Sequence, residues 1–265
     1  MANKTIENYS KARIKDLNEL LSISLSKNSY DTLHQIRIEI KKLHAISRFL
    51  EYCNIQFLNK KTTTILELIF STTGKIRELQ VALQLIKKLF PEMKTHESVG
   101  ILKKRLEKYL DNFTKKSRKY GKIKDNSIAK EIKINKLKLM TYINLLQDSQ
   151  RLISNGTKER PSMIHKIRVN LKDISYLYKL LQIEYANEKN LQFVLNLGEW
   201  HDLVSLRKLI LKILAKNEFN ELNTSQLILV IQKINRRIND KLEQLNRINQ
   251  IKITTEKGIK KGQHK

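Results

Sequence analysis

The sequence predicts an all-α protein made of two related helical bundles in tandem, and three observations carry that expectation. Gly and Pro are scarce, apolar residues recur at helical spacing through most of the chain, and one helical motif occurs twice in register. Seven Gly and two Pro in 265 residues are roughly 3% of the chain against about 12% in average usage, too few for a turn-rich β fold. With 40% hydrophobic residues the chain can fill one large core or two smaller ones, which excludes wholesale disorder.

Taken in order, residues 3–26, 31–52, 57–72, 75–90, 98–119, 126–153, 162–184, 187–197, 201–216 and 224–250 each suit an amphipathic helix. The best strand candidate, Ile36 to Lys41, alternates locally. Extending the window to Leu33, Ile36, Ile40, Leu43, Ile46 and Leu50 restores a 3.6-residue stripe, so it too reads as helix. Breaks fall near Pro91, Gly121, Gly156 with Pro161, and Gly198, while Asp31 and Ser162 suit helix N-caps. The boundaries that follow are a helical region over 1–253, with a first bundle over about 1–121 and a second over about 122–253. Residues 254–265, TTEKGIKKGQHK, have no apolar face and read as a frayed basic extension.

Charge narrows the function. The chain carries 52 Lys and Arg against 26 Asp and Glu, a formal net charge of +26, so polyanions head the partner list: nucleic acid, an anionic membrane surface or a phosphate polymer. The single cysteine, Cys53, excludes an internal disulfide and any zinc site built on cysteine pairs, and fits a reducing compartment. There is no run of about 18 apolar residues, and residues 2–21 lack the apolar stretch of a secretory signal, so a cytoplasmic protein without membrane insertion is expected.

The motif that recurs is Leu33-His34-Gln35-Ile36-Arg37-Ile38-Glu39-Ile40-Lys41, echoed 131 residues later as Ile164-His165-Lys166-Ile167-Arg168-Val169-Asn170-Leu171-Lys172. The same offset superposes Asp31 on Ser162, Leu43 on Ile174 and Leu50 on Leu181. A weaker echo sets Gly74-Lys75-Ile76-Arg77-Glu78-Leu79 against Gly198-Glu199-Trp200-His201-Asp202-Leu203. At 100° per residue His34, Arg37, Lys41, His44 and Arg48 fall within about 80° of arc, beside the core stripe. The second copy reads His165, Arg168, Lys172, Ser175 and Lys179; Lys42 and Asp173 lie off the stripe. A basic face at helical spacing is most often merely solvated, but the same residue types twice in register argue for a site. Arginine can grip phosphate bidentately and lysine serves as a point charge along a chain. The histidines sit near helix starts, where free N–H groups already favour an anion, though an orienting role beside the arginines also suits them. Trp200 reads as core.

The His-x-x-Arg-x-x-x-Lys helix present twice, followed by Gly74 to Leu79 and by Leu197 to Leu203 after their respective copies, resembles the CHAD domain, a histidine-containing α-helical domain, over roughly residues 5 to 250. The resemblance implies two four-helix bundles related by a pseudo-twofold, with basic side chains lining a central channel or groove that binds inorganic polyphosphate. The implied binding set is His34, Arg37, Lys41, His44, Arg48, Arg77, His165, Arg168, Lys172, Lys179 and His201. Departures from the family pattern are His44 in the first copy, Asp173 and Ser175 in the second, and Glu78 and Gln80 where the family often has two Asp residues. They suggest that the first half-site outweighs the second, with His44 as a pH handle.

No catalytic residue, cofactor or metal is expected. The sequence shows no phosphate-cradling Gly loop and no carboxylate cluster for magnesium, and Glu78 and Asp202 read more simply as partners that orient Arg77 and His201. His34 and His165 meeting across the pseudo-twofold would have Arg and Lys beside them, which opposes a dication. Nucleic acid is the alternative ligand, bound non-specifically through its backbone. The stripes have no interleaved aromatics for base stacking, so such binding is expected to be weak.

Overall fold

The computed structural model describes residues 2–26, 30–120, 122–124, 136–155, 161–181, 188–216 and 219–261. Among them the chain forms eight α-helices: α1 (Ala2–Ser26), α2 (Tyr30–Tyr52), α3 (Lys60–Leu89), α4 (Glu97–Tyr120), α5 (Lys136–Asn155), α6 (Pro161–Leu180), α7 (Glu188–Leu214) and α8 (Glu221–Lys261), with one 3₁₀ turn at Pro91–Met93. The all-α expectation holds, and the Ile36 to Lys41 segment is helical. Ten expected segments become eight helices because α3 and α7 run unbroken through Gly74 and Gly198. A helical glycine costs only about 1 kcal/mol relative to alanine, less than the packing of a long helix returns. The segment from Thr254, read as frayed, is helical as far as Lys261; its Lys and Glu residues are good helix formers and an existing helix extends cheaply. Residues 126–135, 182–184 and 187 of the expected segments, residues 262–265 of the expected tail, and Gly121 and Gly156, lie outside the described residues.

Local chemistry sets several of the ends. Asn59 caps α3, its Oδ1 accepting the Thr62 N–H at 2.9 Å. Pro91 stops the same helix, with the Phe90 N–H still donating to the Ile86 carbonyl. Asp31 and Ser162, expected as caps, sit instead inside the first turns of α2 and α6, a difference of one or two residues. His96, to which the sequence assigned no role, is buried: its Nδ1 accepts the Ser98 N–H at 3.1 Å, and its Nε2 lies 3.0 Å from the Asn223 carbonyl. The Nδ1 is thereby the acceptor, Nε2 carries the proton, and the ring ties the start of α4 to the start of α8.

Packing follows chain order within each set of four helices, α1 on α2, α2 on α3, α3 on α4, and likewise α5 to α8. Two further contacts, α2 on α6 and α3 on α7, close α2, α3, α7 and α6 into a central ring. The buried apolar residues form two cores that do not follow the two halves of the sequence. One joins Ile14 and Leu17 of α1, Leu43 and Phe49 of α2 and Leu66 of α3 to Ile143 of α5 and Leu177 of α6. The other joins Leu79 and Ile86 of α3 and Leu102 of α4 to Leu171 of α6, Leu206 of α7 and Ile234 of α8. Helices α3 and α6 pass from one core to the other, so a cut near residue 121 would divide both cores. Each fully buried Leu or Ile contributes about 1.5–3 kcal/mol. Trp200 is core, as expected. No helix among the described residues is long and apolar enough to cross a membrane.

Candidate functional site

The central ring carries the charge cluster. Arg37 and Lys41 on α2, Arg77 on α3, and Arg168 and Lys172 on α6 are all half-buried. No described carboxylate lies within ion-pairing distance of any of them. Burial, then the neighbouring Lys172, Arg37 and Arg168, pushes the Lys41 ammonium down to about 7, partly offset by Asp202 of α7. Burial and Arg168 bring Lys172 down to about 8 against the same Asp202. Arg37 falls to about 10, through burial and Arg168, and stays charged at neutral pH. Burial also lowers Arg168 and Arg77, each opposed by Asp202, and lowers His34 together with Lys41, Lys172 and Arg37. The two copies of the motif therefore act on one another across the α2–α6 contact. Like charges held together out of water raise the energy of the free protein, and the surrounding apolar packing must offset that cost.

Two arginines are aimed by aromatic rings. Arg37 Nη1 donates to the Phe70 carbonyl at 2.6 Å, and the guanidinium lies 4.1 Å above the Phe70 ring. A Cβ at Gly74 would stand 2.9 Å from Arg37 Nη1, so this glycine leaves room for the guanidinium. Gly198 has nothing within 4 Å of such a Cβ. Arg77 covers the Tyr30 ring at 4.1 Å, and the Tyr30 hydroxyl is hydrogen-bonded to Gln84 Oε1.

The lower end of the α2 stripe does something else. Arg48 donates from Nε and Nη2 to the two carboxylate oxygens of buried Asp173, both at 2.7 Å, and so clamps α2 to α6. His44 packs edge-on against Phe70, with centroids 5.4 Å apart. Burial and then Arg48 push its imidazole down to about 4. The pH handle expected of His44 needs a bound polyanion to raise its pKa; in the free protein a half-buried imidazole beside a guanidinium is neutral. Lys42, off the stripe, pairs with buried Glu39 at 2.6 Å, and Glu39 also holds Arg13.

The architecture is shared with solved proteins. PptA from Streptomyces chartreusis superposes with a TM-score of 0.71 at 9% sequence identity, over 94% of this chain and 99% of that one. The crystal structure of the CHAD domain from the plant Ricinus communis superposes with a TM-score of 0.63 at 11% identity, over 94% of this chain and 90% of that one. The chain has the CHAD fold. No family model and no curated protein matches the sequence, so the likeness lies in the backbone rather than in extended identity.

Within this CHAD fold the expected residues separate into groups. Arg37, Lys41, Arg77, Arg168 and Lys172 come together with His34. His165 is exposed and its ring lies 5.5 Å from that of His201, while burial, His201 and Arg168 lower its pKa. His34 and His165 are not a pair, and no cluster of three metal-ligating side chains occurs among the described residues. Lys179 is exposed, and Arg48 is held by Asp173. The sequence reading missed Phe70 and Tyr30 as supports for the arginines and Asp173 as the partner of Arg48. It took Asp202 as a partner of His201, whose Nδ1 is 3.4 Å away, whereas the carboxylate also faces four cations. Glu78 is exposed. The one usable signal was Asp173 itself, a carboxylate interrupting a basic motif.

Proposed function

We propose that the protein binds linear inorganic polyphosphate through the cationic cluster of α2, α3 and α6, and that binding is its task, with no chemistry performed on the chain. The observation that carries this reading is the convergence of Arg37, Lys41, Arg77, Arg168 and Lys172 without an ion-paired carboxylate among the described residues. An anionic ligand would relieve the repulsion that Asp202 offsets only in part, and paired arginines and lysines suit successive phosphates of a flexible chain. The CHAD fold supports the same ligand. The aromatic rings beside the cluster support it against a base-bearing polymer, because Phe70 and Tyr30 are covered by Arg37 and Arg77 and are not free to stack on bases.

The test is a titration with polyphosphates of defined length, competed by single- and double-stranded nucleic acid at 0.15 M salt. Polyphosphate is expected to bind more tightly than nucleic acid of equal charge. If about eight phosphates are neutralised, log K should fall with log salt at a slope near −6, by analogy with the ~0.7 per phosphate of single strands. Equal or stronger binding of DNA would overturn the reading, as would phosphate release that rises with magnesium and is lost in Asp202→Asn.

A further inference from the structure

Much of the excess charge lies outside the ring. From Lys103 to Lys124 the sequence places ten Lys and Arg against two carboxylates, Glu107 and Asp111, a net +8 out of +26 in 22 residues of 265, several times what an even spread gives. At 100° per residue Lys104, Lys108, Lys115, Arg118 and Lys119 fall within about 100° of arc on α4, in a stripe about 22 Å long at 1.5 Å per residue. All five are exposed. The opposite face of α4 buries Val99, Leu102 and Phe113 and packs on α3 and α1. From these placements, and resting on the polyphosphate reading, we infer that the outer face of α4 with residues 122–124 is a second polyanion site. It is taken up by a polyphosphate chain that is already held at the ring and is long enough to reach α4, so that the protein selects for long chains.

The fold holds this surface in place beyond the end of the helix. Ile123 is buried, its N–H donates to Asn18 Oδ1 of α1 at 3.0 Å, and Asn18 Nδ2 donates to its carbonyl at 2.9 Å. That two-way amide pairing fixes the backbone of 122–124 on α1 and leaves Lys122 and Lys124 exposed on either side. Arg118 and Lys119 in the last turn complement the helix dipole, but Lys104, Lys108, Lys115 and Lys122 lie outside that turn. Asp111 sits within the stripe and pairs with Lys115 at 2.7 Å, with side chains 60% and 69% exposed, so it holds that lysine weakly. The neighbouring side chains narrow the occupant. No large apolar side chain of α4 is exposed, which leaves nothing to insert into a bilayer. Tyr109 and Tyr120 are half-buried, and Lys75 covers the Tyr109 ring at 5.6 Å, so neither offers a free face to a base. A linear chain of phosphates needs only charges in line. Because α4 packs along α3, the ring helix that carries Arg77, a chain anchored at the ring meets the α4 stripe at high effective concentration, and the second contact adds avidity.

The experiment compares the full chain with a variant carrying Lys104→Gln, Lys108→Gln, Lys115→Gln, Lys119→Gln and Lys122→Gln. Each is titrated with polyphosphate of about eight phosphates, the number taken for the ring, and of about one hundred. Gln matches Lys in helix propensity, so the helix is kept, and the unfolding midpoint checks it. A control variant replaces five exposed lysines elsewhere, Lys60, Lys61, Lys87, Lys212 and Lys216, by Gln and loses the same charge. The α4 variant should bind the short chain within about threefold of the parent and the long chain about tenfold to a hundredfold more weakly. In the parent, the salt slope for the long chain should exceed that for the short one by about 3.5, at ~0.7 for each of five further phosphates. The difference should vanish in the α4 variant, and the control should lose equally little at both lengths. Equal losses at both lengths in the α4 variant, or a matching long-chain loss in the control, overturn the second site. Vesicles of phosphatidylserine with phosphatidylcholine, and duplex DNA, are the further arms. If the variant loses binding to either while it keeps its hold on the long chain, the surface belongs to that partner and the proposal falls. A parent that does not bind the short chain overturns the ring reading, whereas a parent that binds both lengths and a variant indistinguishable from it overturn the α4 site alone.

Discussion

The two ends of the repeated helix pair differ in what holds their cations. At the upper end Arg37 and Lys41 of α2 meet Arg168 and Lys172 of α6, the same residue types from both helices, with no ion-paired carboxylate among the described residues. At the lower end the types differ: Arg48 of α2 meets Asp173 of α6 in a two-pronged ion pair, and His44 is packed on Phe70. Where both helices present the same charge the contact carries repulsion; where they present opposite charges it is held by an ion pair. On α6 the unpaired Lys172 and the paired Asp173 are neighbours in sequence, and the ion pair of Asp173 with Arg48 holds α2 and α6 together beside the unpaired cations.

The largest effect should come from breaking the lower end. Arg48 is 40% exposed and Asp173 5%, so Arg48→Ala should cost about 2–3 kcal/mol in denaturant unfolding, below the 3–5 kcal/mol typical of a fully buried pair. Arg48→Met with Asp173→Leu should recover most of it. Polyphosphate affinity of Arg48→Ala at a temperature where it is folded should stay within twofold of the parent; a tenfold loss would place Arg48 among the ligand contacts.

At the upper end, loss of one charge-assisted phosphate contact is worth about 1.5–3 kcal/mol, so Arg37→Ala should weaken polyphosphate binding about tenfold to a hundredfold. Arg168→Ala should weaken it less, because Asp202 acts on Arg168 and is not among the influences on Arg37. The sequence suggested the same asymmetry from Ser175 in the second copy; the carboxylate on α7 supplies a further cause. Adding Asp202→Asn to both variants should narrow the gap; an unchanged gap would remove that cause.

The two helix glycines sharpen the comparison further. Gly74→Ala drives a methyl toward the Arg37 guanidinium, which is pinned on Phe70. Affinity should fall about threefold to tenfold, roughly 1 kcal/mol of a misplaced charge-assisted contact. Gly198→Ala meets nothing and should raise stability by about 0.5–1 kcal/mol through helix propensity, with affinity unchanged. Matching losses of affinity in both would show that the Arg37 seating is not what Gly74 serves.

The smallest effect concerns His44. Its folded pKa of about 4 lies below the ordinary 6.5, so between those values the unfolded chain binds more protons. The stability this group contributes is present above pH 6.5 and lost as pH falls toward 4. His44→Gln should lessen the acid lability of the free protein, measured as Tm between pH 4 and 7. It should leave the pH dependence of polyphosphate binding between 6 and 8 unaltered.

Helix content, helix order and the identity of the charged helix faces were determined by the sequence, because apolar periodicity and scarce Gly and Pro are local properties that the backbone reads within a turn or two. The recurrence of His-x-x-Arg-x-x-x-Lys likewise pointed to Arg37, Lys41, Arg168 and Lys172, the positions that come together. Helical angle alone could not separate Lys41 from Arg48, since both lie on one stripe of one helix. What divides them is the partner helix, which brings Lys172 to the first and Asp173 to the second. Nor could the sequence show that α3 and α6 each serve two cores, or that Asp202, on a helix four elements beyond Arg77, acts on four cations at once. Those are outcomes of the α2–α6 and α3–α7 contacts. A charge's meaning in a protein is set by the distance and burial of its neighbours, and only the tertiary fold fixes either.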